Sequence, residues 1–86
     1  MWIILSYDIN AKRNAKALKI CRKYLTHVQK SLFEGSISDK NYQRLKNSLA
    51  KVIVPDEDQI VVYVFDSMRY ASKEMIGIHT TQDNII

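Results

Sequence analysis

The sequence predicts an α+β domain of the ferredoxin-like type, β-α-β-β-α-β with an antiparallel sheet and one further edge strand near the C-terminal end. Three observations carry this. Two short, nearly unbroken apolar runs, Trp2–Tyr7 and Ile60–Phe65, are too short for helices and rich in β-branched and aromatic residues, as buried central strands are. Two segments between them repeat apolar residues at spacings of three and four, the period of an amphipathic helix. The stretch separating those segments, Thr26–Ile37, is long enough for a hairpin and little else.

Each element has its own justification. The first strand ends where Asp8 and Asn10 interrupt the apolar run, and Asn10 is a good helix cap. From Ala11 to about Leu25 the apolar positions Ala11, Ala15, Leu18, Cys21 and Leu25 mark one helix face, and six lysines and arginines decorate most of the rest. Thr26–Ile37 divides into two strands that turn near Lys30-Ser31, with Gly35 as the expected bulge. Ser38 caps a second helix whose Tyr42, Leu45, Leu49 and Val52 share a face. Pro55, which cannot extend the helical ladder, and the acidic turn Asp56-Glu57-Asp58 stop it, and the turn is expected to be solvated. After the second strong strand, Met75-Ile76-Gly77-Ile78 is expected to add an edge strand to its own sheet or to a partner's. Thr80–Ile86 reads as a loose end.

Eighty-six residues make one domain, with a core over about 1–66 and a dimer-associated tail over about 67–86. A core of this size gains from burying more apolar surface against a partner. No apolar run is long enough for a membrane span or a secretory leader, so a cytoplasmic protein with no membrane association is expected. The lone Cys21 excludes an intramolecular disulfide and a cysteine metal cluster, and it reads as a small helix-face filler.

The net charge of +4 conceals an asymmetry. Residues 1–54 carry 11 Lys and Arg against three acids, whereas residues 55–86 carry two against six. A basic half of this kind attracts phosphate backbones irrespective of base sequence, although a solvated lysine-rich helix face has the same composition.

Asp8 is the most informative single position. It follows a buried strand and precedes a basic helix. It either ends the strand or caps the helix, or it holds a divalent ion together with a second Asp8 brought to the same axis by a twofold dimer. His27 and His79 lack zinc-ligand spacing, Ser31 has no neighbouring base in the sequence, and only Gly35 and Gly77 are available for any phosphate loop. Lys12, Arg13 and Lys16, one turn beyond Asp8, and Lys30 at the hairpin tip are the expected phosphate contacts, with His27 beside them. Tyr7, Phe33 and Tyr63 read as core or dimer-contact residues of the strands.

The pairing of Tyr7-Asp8-Ile9 and its basic helix with Val28-Gln29-Lys30-Ser31-Leu32-Phe33-Glu34-Gly35 resembles the CRISPR-associated protein 2 family from Trp2 to about Phe65. The resemblance implies a ferredoxin-like homodimer in which Ile76–His79 completes the partner's sheet. It implies that Asp8 is the catalytic, metal-ligating aspartate, that the ion is magnesium with manganese able to replace it, and that the substrate is single-stranded RNA or double-stranded DNA. It also implies that Tyr7, Gln29, Ser31 and Phe33 shape the site or the dimer, and that the protein is the central dimer between copies of the CRISPR-associated protein 1 integrase during spacer acquisition. A non-catalytic DNA scaffold and a stand-alone toxin-like ribonuclease are the alternatives on the same fold. His27 stands where many relatives have arginine, and the start of the first helix lacks the fuller arginine cluster common there.

Overall fold

The computed structural model describes residues 1–66 and 71–77. The elements follow in the predicted order: β1 (Trp2–Asp8), α1 (Ala11–Tyr24), β2 (Thr26–Gln29), β3 (Leu32–Ser36), α2 (Asp39–Val52), β4 (Gln59–Phe65) and β5 (Ala71–Gly77). The strands form one sheet in the order β2-β3-β1-β4-β5, with every neighbouring pair antiparallel. This is the predicted ferredoxin-like arrangement, with the apolar β1 and β4 adjacent at the centre and β5 as an added edge strand.

Register explains the core. Along β1 the inward residues are Ile3, Leu5 and Tyr7, which pair with the inward Val64, Val62 and Ile60 of β4. Phe33 of β3 pairs with Leu5. Ala17 and Cys21 of α1 and Tyr42, Leu45 and Leu49 of α2 belong to the same buried cluster, so both helices cover one face of the sheet. A strand alternates with period two, so the remaining residues of β1 and β4 face away from the helices. On that open face Trp2 pairs with Phe65 and Ile4 with Tyr63. Trp2 (45%), Tyr63 (41%) and Phe65 (37%) are exposed.

Three expectations change. The buried stripe of α1 runs through Ala17 and Cys21, with Leu18, Ile20 and Tyr24 packed alongside, and Ala11 and Ala15 lie on the exposed side. An alanine methyl gains little from burial, so alanines at helical spacing do not fix which way a helix rolls, whereas the larger side chains do. The bulge falls between His27 and Gln29, not at Gly35. An extra residue is tolerated on the edge strand β2, whereas Gly35 lies in β3, paired to Ile3 of the central strand. The edge strand near the C-terminal end is longer than expected and starts at Ala71. It lies on β4 of its own chain, while Ile78, His79 and the expected loose end Thr80–Ile86 lie outside the described residues.

Gly77, the last described residue of β5, is a glycine for a steric reason. Its φ is +113°, and a Cβ built there would stand 1.9 Å from the carbonyl oxygen of Asp58. Only glycine allows β5 to come this close to the chain entering β4.

Candidate functional site

Asp8 is the last residue of β1 and pairs with Gln59 of β4. Its side chain is exposed, and no hydrogen bond or ion pair holds it among the described residues. Capping of α1 falls instead to Asn10, whose side-chain oxygen accepts from the amide of Lys12 at 3.0 Å. Asp8 lines an open depression of about 340 Å³ together with Tyr7, Ile9, Ala11, Asn14 and Ser31. Ser31 comes from the turn between β2 and β3, and its carbonyl accepts the Tyr7 amide at 3.1 Å, which ties the turn to the end of β1.

Within the expected motif, the rings of Tyr7 and Phe33 are buried and stacked, with centroids 5.8 Å apart. Burial raises the Tyr7 hydroxyl above its ordinary value. The His27 ring also stacks on Phe33, with centroids 4.6 Å apart and planes inclined by 17°. One His27 nitrogen meets the Lys30 carbonyl and the other lies 3.4 Å from the Arg22 guanidinium. This ring braces a hairpin whose tip, Lys30, sits at φ +40°. Gln29 and Lys30 are exposed at that tip, and Lys12 and Lys16 are exposed on α1.

Arg13, an expected phosphate contact, is engaged within the chain. Its Nε donates to Asp58 Oδ2 at 2.7 Å, and its Nη2 donates to Asp58 Oδ1 and Glu57 Oε1, each at 2.9 Å. The Arg13 side chain is only 18% exposed. Asp58, expected to be solvated, is fully buried. It also accepts from the backbone amides of Asn10 at 2.9 Å and Val54 at 2.8 Å. A buried carboxylate is tolerable only when paired and hydrogen-bonded in this way. Its bonds to Arg13, and then to the two amides, hold the Asp58 carboxyl well below the usual carboxylate range, outweighing the opposing effect of burial. The Arg13 guanidinium is correspondingly raised by Asp58 first and Glu57 second. This clasp joins the start of α1 to the turn before β4, two residues from Asp8. The sequence offered one faint sign of it, a run of three acids late in a chain whose first half is basic.

A second polar group fastens β5. The Tyr42 hydroxyl donates to Glu74 at 2.5 Å, and the Lys46 ammonium lies 3.7 Å from the same carboxylate and 4.4 Å from the Tyr42 ring centre. Burial, followed by the bond to Glu74, pushes the Tyr42 hydroxyl well up.

Among the described residues no group of three or more His, Cys, Asp or Glu side chains is close enough to hold a metal. One Asp8 carboxylate does not supply the several oxygens such an ion takes, so a single chain does not by itself fit one. No described helix is long and apolar enough to cross a membrane.

The sequence profile of the family described as CRISPR associated protein Cas2 matches residues 1–73. The chain belongs to that family. It is 42% identical over 86 residues to the CRISPR-associated endoribonuclease Cas2 of Thermotoga maritima, covering all of this chain and 99% of that one. Among solved structures, one described as the crystal structure of cas2 superimposes with a TM-score of 0.74 at 30% identity, covering 81% of this chain and 79% of that one. The Streptococcus pyogenes Cas2 crystal structure at pH 6.5 gives a TM-score of 0.70, also at 30% identity, over 76% of this chain and 86% of that one. Family membership agrees with the resemblance carried by Tyr7-Asp8-Ile9 and the Val28–Gly35 run.

Proposed function

We propose that this chain is a CRISPR-system nuclease subunit that cleaves phosphodiester bonds beside Asp8 as a twofold dimer. The observation that carries the proposal is Asp8 itself, an exposed carboxylate at the end of a central strand, free of structural bonds among the described residues and lining an open depression. Relatives of high coverage are named endoribonucleases, which favours RNA as substrate, with double-stranded DNA as the second candidate.

The open sheet face supports the dimer. Trp2, Tyr63 and Phe65 are exposed there beside Ile4 and Val61, and pairing two such faces would bury them. Asp8 and the partner's Asp8 would then supply the two carboxylates that one chain lacks. Magnesium, or manganese in its place, would be held between them and when bound would neutralise charge at the phosphate and activate water. Lys12, Lys16 and Lys30 would contact the phosphate backbone on either side. In the cytoplasm the dimer would sit between copies of the CRISPR-associated protein 1 integrase during spacer acquisition.

A second reading, a DNA scaffold without cleavage, is favoured by the lack of any group of three ligand side chains among the described residues. One comparison decides between the two: wild type and Asp8→Ala on single-stranded RNA and duplex DNA, with magnesium, manganese or chelator. Cleavage that needs metal and vanishes in the variant is expected. Binding without cleavage by either protein would favour the scaffold.

A further inference from the structure

We propose that Asn14 is a substrate-contacting residue whose side-chain amide donates a hydrogen bond to a non-bridging oxygen of the phosphodiester lying beside Asp8. The inference rests on the reading of Asp8 as the site, and it adds how a phosphate is recognised there.

Six residues line the depression, and three of them, Asp8, Asn14 and Ser31, carry polar side-chain atoms outside the buried core. Asp8 is an anion and repels phosphate, so side-chain donors must come from Asn14 and Ser31. The cation adjacent in sequence, Arg13, has its Nε and Nη2 committed to Asp58 and Glu57 and does not line the depression. Asn14 follows Ala11 by three residues, so the two share a helix face, and the short Ala11 methyl leaves the approach to the Asn14 amide open. Asn14 is exposed, and no hydrogen bond occupies its side chain among the described residues. Asparagine is a mediocre helix former and here caps nothing, because Asn10 caps α1. A neutral donor also suits a place where a carboxylate has to stay free, since a lysine or arginine there would pair with Asp8.

The probe is a single-stranded oligoribonucleotide added to the whole protein in chelator, followed in the amide spectrum. The Asn14 side-chain NH₂ pair, assigned by its absence in Asn14→Ala, is expected to shift as the oligonucleotide saturates. Asn14→Ala should weaken binding about 10-fold, as loss of a hydrogen bond to a charged group does. It should leave the salt dependence unchanged, because a neutral donor releases no counterion. Lys16→Ala should lower the slope of log K against log salt by about 0.7. Asn14→Asp should bind more weakly than Asn14→Ala, through like-charge repulsion. An NH₂ pair that stays fixed while the oligonucleotide binds overturns the inference, as does an equal effect of Ala and Asp. If Asp8→Ala cleaves like wild type while the pair shifts, the nuclease reading fails and Asn14 stands as a phosphate contact. Absence of any binding of the oligoribonucleotide by wild type overturns the inference, while cleavage of duplex DNA that needs Asp8 would leave the nuclease reading standing.

Discussion

Two aspartates at one end of the sheet have opposite fates. Asp8 ends β1 opposite Gln59, and Asp58 is the residue just before Gln59. Asp8 points into solvent with no partner among the described residues, whereas Asp58 is fully buried and accepts from two amides and one guanidinium. The difference separates a carboxylate available to a ligand from one committed to the fold. A carboxylate that is to hold an ion or face a phosphate keeps its lone pairs free. One whose lone pairs are spent on the fold has its charge neutralised and cannot serve a ligand. The clasp built on Asp58 also anchors Asn10, so the saturated aspartate fixes the segment that follows the free one.

That contrast can be broken at several points. The largest effect is expected from Asp8→Asn, which should lower metal-dependent cleavage on the order of 100-fold or more. Its thermal and urea unfolding should stay within about 0.5 kcal/mol of wild type, as for an exposed side chain without structural bonds. A large loss of stability there would make Asp8 a second structural aspartate.

Asp58→Ala should do the reverse at the level of the fold. Removing a buried, fully bonded carboxylate leaves two amides and an arginine without their acceptor, at a cost of about 3 kcal/mol measured by urea unfolding. A change near zero would mean that solvent replaces the clasp and that Asp58 is no different in kind from Asp8.

Acid sharpens the same comparison. The Asp58 carboxyl titrates lower in the folded chain than in the unfolded one, so the unfolded state takes up its proton first as pH falls. Its contribution is therefore complete above the ordinary value of 3.8 and is lost as pH drops from there towards the depressed folded value. Urea midpoints measured from pH 6 down to pH 2 should fall more steeply for wild type than for Asp58→Asn. Parallel curves would show that the clasp is not what acid removes.

The smallest effect concerns the far edge. Tyr42→Phe removes the bond to Glu74 but leaves that half-exposed carboxylate to water and Lys46, so about 1 kcal/mol is expected. Hydrogen exchange should show the loss confined to β5. A loss spread through β1 and β4 would mean that β5 is part of the central cooperative unit.

Much of this was legible in the residues. Continuous apolarity in Trp2–Tyr7 and Ile60–Phe65 can be satisfied only by central strands, and the observed order places β1 and β4 side by side. Asn10 and Ser38 cap the helices as read, because a short polar side chain before an amphipathic run has one favourable local use. The Tyr7-Asp8-Ile9 and Val28–Gly35 runs carried the family, and the structure brings Asp8 and Ser31 into one depression. The bulge, the roll of α1 and the length of β5 were not legible, since each depends on a neighbour distant in sequence.

By itself, then, the sequence determined the elements, their order and the position of a carboxylate at the end of the first strand, all set by local pattern and chain connectivity. Tertiary structure alone decided which charges are free. Arg13 and Asp58 lie 45 residues apart, and nothing in local composition distinguishes a solvated acidic turn from one whose last carboxylate is drawn under a helix terminus. Burial makes that distinction: once Asp58 is removed from water, the energy of an unpaired carboxylate forces a partner on it, and Arg13 is the cation the fold brings within reach.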